Sequence, residues 1–205
     1  TSLAEPANVL VIGGGIVGLN AMQMSIGLGA STTLLDLNND LLKEIKNKYP
    51  QVNVAESSEQ VIKNLLPIMD IVVGSVLKPG GKPPMVITKD MLSLMEPKSI
   101  LSDVSVDQGG CFETSRPTTH DNPTYTIDDI IHYCVRNIPS AVPFTATNAL
   151  NEATKPFILK FANSGLHGLL NDDKLLMALN TFKGQLTNKE VAIAHSLEFS
   201  DLKEI

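Results

Sequence analysis

The chain has 205 residues, 43% of them hydrophobic but only 4% aromatic, and carries a formal net charge of −6. That length suits one large domain, or one domain with part of another, and the aliphatic bias suits a parallel sheet covered by helices. Its scattered cations exclude a general nucleic-acid surface, no apolar run approaches the roughly 18 residues of a membrane span, and no signal peptide is expected.

In chain order, Val9–Ile12 reads as a first strand, followed by Gly13-Gly-Gly15-Ile-Val-Gly18 and a helix over Ile16–Leu28. A second strand at Thr32–Asp36 leads to a helix at Asp40–Lys48, which Asn38 or Asn39 can cap. A strand at Val52–Ala55 then precedes a helix at Glu59–Leu66, with Ser57 or Ser58 at its cap. The run Ile68–Val73, unbroken around Asp70, reads as a strand buried on both faces. A rigid Pro/Gly loop at 79–84 leads to a fourth helix over Thr88–Leu94, which Pro97 ends. Ser99–Val104 is a fifth strand and Ile130–Val135 a candidate sixth.

The texture changes after the turn-rich joint at 137–143. Helices are expected at about Thr147–Asn163, Gly165–Leu170, Asp172–Leu179 and Lys189–Ser196, with a strand-like piece at Thr181–Thr187 turning at Lys183-Gly184. Alternating strands and helices joined by right-handed crossovers give an α/β fold. The expectation is a Rossmann-type doubly wound parallel sheet over residues 1–140 and a C-terminal helical segment over 141–205. About 60 residues cannot close a domain alone, so the tail should pack on the sheet domain, on a partner or on a domain absent from this chain.

The first strand, the glycine turn, the helix and a second strand ending in an acid form a dinucleotide-binding fingerprint. Gly13 permits the tight turn, Gly15 lets backbone N–H groups approach a pyrophosphate, and Gly18 lets the helix pack closely on the sheet. The helix N-terminus brings unpaired N–H groups and partial positive charge to the phosphates. Asp36, 18 residues beyond Gly18, can accept both ribose hydroxyls and would repel a 2′-phosphate, which favours NAD over NADP. Ligands of such folds sit at the carboxyl ends of the strands. There the sequence puts Gly74-Ser-Val-Leu-Lys-Pro-Gly80 and Asp103-Val-Ser-Val-Asp107-Gln-Gly-Gly110. Asp107 can act on a substrate or the nicotinamide ribose, or it can cap a turn; the residues leave both open.

The segment from Asp107-Gln-Gly-Gly through Arg116-Pro-Thr-Thr-His-Asp-Asn-Pro to Tyr125 resembles the alanine dehydrogenase family. So do Gly74–Gly80, His132-Tyr-Cys-Val-Arg-Asn-Ile-Pro139 and Ser140-Ala-Val-Pro143. The related transhydrogenase domain shares the fold but lacks the Asp-Gln-Gly-Gly form. The resemblance implies reversible oxidative deamination of L-alanine to pyruvate and ammonium, with hydride passing to NAD. It makes Asp107 the catalytic aspartate. It implies cofactor contacts from Gly13, Gly15, Ile16, Val17 and Gly18, from Asp36 at the adenosine ribose and from Ser57 near the adenine. Ser75, Val76 and Leu77, then Val104, Ser105, Val106 and Asp107, then Arg116, and finally Val135, Arg136, Asn137 and Ile138 complete the set. For Arg116 the bland alternative is a surface salt bridge.

Full-length relatives carry an N-terminal substrate region that supplies a catalytic histidine and the Arg and Lys that hold the substrate. The family's C-terminal helices, from about Ala141 here, complete that substrate domain. The resemblance also implies a homo-oligomer, usually a hexamer. Ser164 stands where some relatives have a metal-binding His, so no metal is expected. The alternatives are an NAD(H)-binding fragment without turnover and a related glycine/glyoxylate-type dehydrogenase; a first residue other than Met leaves a processed chain and a piece of a longer protein both open.

Among the remaining residues, His132 is expected as a satisfied core residue and His120 in a turn or subunit contact. His167 and His195 belong on helix surfaces. Cys111 is expected to be an inert thiol, and Met22 and Met24 helix core or groove filler. With Cys134 the only other cysteine, neither a disulfide framework nor a metal site is expected, which suits a reducing cytoplasm. No nucleic-acid or membrane partner is expected.

Overall fold

The computed structural model describes residues 5–78 and 80–202. Seven strands form one sheet: β1 (Asn8–Ile12), β2 (Ser31–Asp36), β3 (Asn53–Glu56), β4 (Ile71–Gly74), β5 (Ile100–Asp103), β6 (Thr124–Ile127) and β7 (Ile130–Tyr133). Their order across the sheet is β3-β2-β1-β4-β5-β7-β6, and every pair is parallel except β6–β7. The chain therefore reverses its direction of winding between β1 and β4, where Ile12 pairs with Gly74. Such a switch opens a crevice at the carboxyl ends of the two strands.

The period-two alternation of the central strands splits the core in two. Val9, Val11 and Leu34 face one side with Met22 of α1 (Ile16–Gly27) and Leu42 and Ile45 of α2 (Asn39–Lys48). Leu10, Ile12, Leu35, Val72 and Leu101 face the other, packed with Ile62 of α3 (Glu59–Leu65) and Phe112. The alternative helix caps resolve. The Asn38 side chain accepts from the Asp40 and Leu41 N–H groups, and Ser58 from that of Val61.

Three expectations in this half change. The strand expected at Ile68–Val73 begins only at Ile71, because Leu66–Ile68 form a 3-10 turn after α3 that leaves Ile68 exposed. Residues Lys89–Leu94 form a 3-10 rather than an α-helix, with Met91 N–H bonded to the Thr88 carbonyl and Met95 N–H to that of Leu92. A short tight segment brings both Met91 and Leu92 onto the core, and 3-10 geometry serves short pieces of this kind. The sixth strand is joined by an unanticipated partner, β6, which covers the sheet edge through a turn at Asp128 and Asp129, both at positive φ.

A second compact unit comprises the chain from Pro139 onward together with the loop at Gly80 and Gly81. Its main element is α4 (Pro143–Leu170), broken at Gly165 (φ 58°, ψ −156°), where the sequence suggested two helices. None of its side chains is buried, and Phe144, Leu150, Ile158, Leu159 and Leu166 are all exposed. Asp172 caps α5 (Asp173–Leu176) and also pairs with Lys160. Strands β8 (Thr181–Phe182) and β9 (Gln185–Leu186) turn at Lys183 and Gly184, as expected, and α6 (Lys189–His195) follows. No helix among the described residues is long and apolar enough to cross a membrane.

Candidate nucleotide-binding site

Two abutting cavities lie at the carboxyl ends of the strands. The first, about 510 Å³, is lined by Gly13, Gly15, Asp36, Ser57, Ser75, Val76 and Leu77, and also by Leu37, Asn38, Leu41, Pro84 and Val86. The second, about 480 Å³, is lined by Gly15, Ile16, Val17, Ser75, Val76, Leu77, Val104, Ser105, Asp107 and Gln108. Gly15, Ser75, Val76 and Leu77 belong to both, so they form one groove with a carboxylate toward each end.

The glycine turn sits where the two cavities meet. Gly15 is the N-cap of α1, and no side chain caps the helix or supplies an acid in its first turn. The terminal N–H groups are thus left for a ligand, and the helix dipole has no internal counter-charge. A Cβ on Gly15 would meet nothing within 4 Å and would project into open space, whereas one on Gly18 would collide with the Gly13 carbonyl oxygen. Only glycine at position 18 lets α1 approach β1 this closely.

A series of side-chain hydrogen bonds to backbone ties the rim together. The Gly14 N–H donates to Asp36 Oδ2 (2.6 Å) and the Asn38 N–H to Asp36 Oδ1 (2.8 Å), joining the ends of β1 and β2. The Ser75 hydroxyl is shared between the Ile12 and Gly13 carbonyls at 3.0 and 2.9 Å. The Ser105 hydroxyl donates to the Val76 carbonyl (2.7 Å), and the Asn137 N–H to Asp107 Oδ2 (3.0 Å). Neighbouring loops from β2 to β7 are therefore fixed to one another before any ligand arrives. Such preorganisation reduces the ordering cost of binding.

The sequence-derived site residues separate into groups. Gly13, Gly15, Ile16, Val17, Asp36, Ser57, Ser75, Val76, Leu77, Val104, Ser105 and Asp107 line the groove. Gly18 packs behind it. Val106 and Val135 are buried in the core, and Asn137 reaches the groove through its N–H on Asp107. Arg136, Ile138 and Arg116 line neither cavity. The Arg116 guanidinium instead lies 4.2 Å from the centre of the Tyr125 ring, which stacks on His132.

Leu37, Asn38, Leu41, Pro84, Val86 and Gln108 join the lining without having been expected as site residues. Asn38 and Leu41 were legible only as the start of a helix. Pro84 and Val86 belong to a loop whose path depends on the Val86 N–H bonding to the Cys111 carbonyl.

His132 is buried and satisfied as expected. Its Nδ1 lies 3.0 Å from the Ile130 carbonyl, which can only accept, so Nε2 accepts from the Thr114 hydroxyl at 2.7 Å. Burial holds its pKa below the ordinary value. Burial, reinforced by the Asp103 charge, pushes the Cys111 thiol well above its usual range and leaves it inert. His167 and His195 lie exposed on helices; Met22 is core, and Met24 is exposed.

A doubly wound sheet with a glycine turn and an acid closing its second strand is a dehydrogenase-type nucleotide-binding fold. The alanine dehydrogenase/PNT C-terminal domain profile matches residues 2–189, and the chain belongs to that family. The alanine dehydrogenase of Halomonas elongata is 46% identical over 196 residues, 95% of this chain and 53% of the relative. That of Mycolicibacterium smegmatis is 41% identical over 198 residues, 96% of this chain and 53% of the relative. A solved L-alanine dehydrogenase matches with a TM-score of 0.83 at 38% identity, over 94% of this chain and 54% of its own. A transhydrogenase from Sinorhizobium meliloti, at 22% identity and a TM-score of 0.62 over 69% of this chain and 41% of its own, shares the fold. The chain spans about half the length of the curated relatives it matches.

Proposed function

We propose that this chain is the cofactor-binding half of an NAD-dependent L-alanine dehydrogenase, which interconverts L-alanine, water and NAD⁺ with pyruvate, ammonium and NADH. The observation that carries this reading is the continuous groove, with Asp36 toward one end and Asp107 toward the other. Its two joined cavities suit the two halves of a dinucleotide: adenosine beside Asp36, pyrophosphate over the glycine turn, nicotinamide beside Asp107. The open space above Gly15 fits the pyrophosphate. Among the described residues no Lys or Arg lines the Asp36 cavity, so a 2′-phosphate would meet a carboxylate without a compensating cation, which favours NAD over NADP.

Bound there, NAD supplies a hydride acceptor at nicotinamide C4. The chain's own residues do the rest of what this half contributes. Asp36 accepts the ribose hydroxyls. Val76 and Leu77 give both cavities an apolar wall. The Asp107 carboxylate, steadied at Oδ2 by the Asn137 N–H, orients the attacking water, takes up its proton and favours positive charge at the substrate carbon. The substrate-holding groups belong, in this reading, to the part of the relatives that the chain does not span.

The apolar side chains exposed along α4 support residues 141–205 completing a substrate domain with that missing part. A homo-oligomer, hexameric by family resemblance, and a cytoplasmic setting complete the reading; the latter agrees with two buried, unpaired cysteines.

NADH titration followed by fluorescence tests the proposal. Saturable binding that NADPH matches only at about tenfold higher concentration or more is expected, with no alanine turnover by this chain alone. Failure to bind NADH would overturn the reading.

A further inference from the structure

We propose that Asp103 is a positioning residue: its buried carboxylate holds the 104–111 loop in the shape that presents Ser105, Asp107 and Gln108 to the nicotinamide half of the groove. The inference rests on reading that groove as a nicotinamide dinucleotide site.

Asp103 closes β5 and is only 1% exposed. A buried carboxylate is costly unless several donors compensate it. Here five do. The Ser105 N–H donates to Oδ1 (2.9 Å), and the Cys111 and Phe112 N–H groups donate to Oδ2 (2.8 and 3.3 Å). The Ser115 hydroxyl donates to Oδ2 (2.5 Å) and the Cys111 thiol to Oδ1 (3.4 Å). All five are neutral groups, so the charge serves to gather backbone rather than to pair with a cation.

The donors come from both sides of one loop. Ser105 stands just before the 3-10 turn Val106–Gln108 that carries Asp107, and Cys111 and Phe112 stand just after it. The carboxylate therefore pins both feet of the turn while its apex stays exposed in the groove. Gly110 makes the wrap possible. Its φ is +78°, and a Cβ there would stand 2.9 Å from Asp103 Oδ2. From the pinned feet, Ser105 reaches the Val76 carbonyl and Asp107 receives the Asn137 N–H. Releasing the feet would loosen the groove wall at Asp107. The Asp36 end, built on β1 and β2, would stay in place.

The test compares NADH with ADP, which occupies only the adenosine–pyrophosphate half, by calorimetry on the whole chain. Asp103→Asn puts an N–H₂ where one oxygen accepts from backbone N–H groups, so donor faces donor. NADH affinity should fall about tenfold or more, and ADP affinity should change less than about twofold. Ser115→Ala removes one donor of the five and should move the same ratio by about threefold. It decides the matter if Asp103→Asn does not fold. An equal loss of both ligands would mean a merely structural role, and unchanged affinity for both would mean no role in positioning; either overturns the inference. Failure of the unmodified chain to bind either ligand would instead bring down the dinucleotide reading.

Discussion

Asp36 accepts a hydrogen bond from the Gly14 backbone N–H at 2.6 Å, so the acid that closes β2 also fixes the glycine turn that follows β1. Gly14 is a buried residue. The carboxylate thus has two tasks: each oxygen accepts one backbone N–H and retains a lone pair for a ribose hydroxyl.

Asp36→Ala should therefore lose more than a ribose contact. It also removes the partner of the Gly14 N–H, and each effect is worth on the order of 1–3 kcal/mol. NADH affinity should fall by about tenfold or more, and the thermal midpoint should drop in the ligand-free protein as well. Fluorescence titration and a melting curve on the same sample check both. A fall in affinity with an unchanged midpoint would confine Asp36 to ligand contact.

Arg116 is held by its own neighbourhood. Its N–H donates to the Tyr125 hydroxyl (2.7 Å), and that hydroxyl donates to the Thr114 carbonyl (2.9 Å). The guanidinium covers the Tyr125 ring, and the ring stacks on His132 at 4.9 Å. An exposed cation–π contact contributes about 0.5–1 kcal/mol. Arg116→Ala should lower the melting midpoint by roughly 1–4 °C and leave NADH affinity within about twofold. A tenfold loss of affinity would return Arg116 to the cofactor contacts that the family resemblance assigns it.

The hairpin between β6 and β7 turns on Asp128 (φ 50°) and Asp129 (φ 62°). Two positive φ angles in a two-residue turn favour glycine at the second position, and here two like charges are adjacent instead. Asp129→Gly relieves both problems and should stabilise the chain by roughly 0.5–1 kcal/mol. Chemical denaturation checks this, and a destabilised variant would refute it. The same feature explains why β6 was invisible in the sequence. Thr124-Tyr-Thr-Ile127 alternates like a strand, but Asp-Asp is no hairpin signal, so nothing pointed to a pairing with β7.

What was legible follows the same physics. Apolar runs ending in glycine or acid mark parallel strands because both faces are buried, and Asn8–Ile12 and Ser31–Asp36 appear within a residue of their expected bounds. The Gly13–Gly18 turn was readable because close approach restricts it to glycine. Asp103 was not readable as an anchor. Its five partners are mostly backbone groups of residues 105–115, and a sequence does not display which N–H groups a folded loop turns inward. Arg116 is similar: its attachment to Tyr125 depends on β6 lying beside β7.

His132 gives a pH dependence with a definite sign. It is fully buried, and the Nδ1–H to Ile130 carbonyl and Thr114 hydroxyl to Nε2 bonds define the neutral ring. Burial is the main cause that lowers its folded pKa below 6.5. Between that lowered value and about 6.5 the unfolded chain binds more protons than the folded one, so stability rises with pH there and falls as the solution is acidified. Above about 6.5 both states are neutral, and the contribution is constant. His132→Asn keeps a donor for Ile130 but cannot take up a proton. It should be less stable at pH 7 than the unmodified chain, and its disadvantage should narrow as pH falls below about 6.5, with a limiting slope of about 1.4 kcal/mol per pH unit. Urea denaturation of both proteins across that range measures the difference directly. Because every other titrating group is common to the two proteins, parallel curves would show that His132 gains its proton as readily in the folded chain as in the unfolded one.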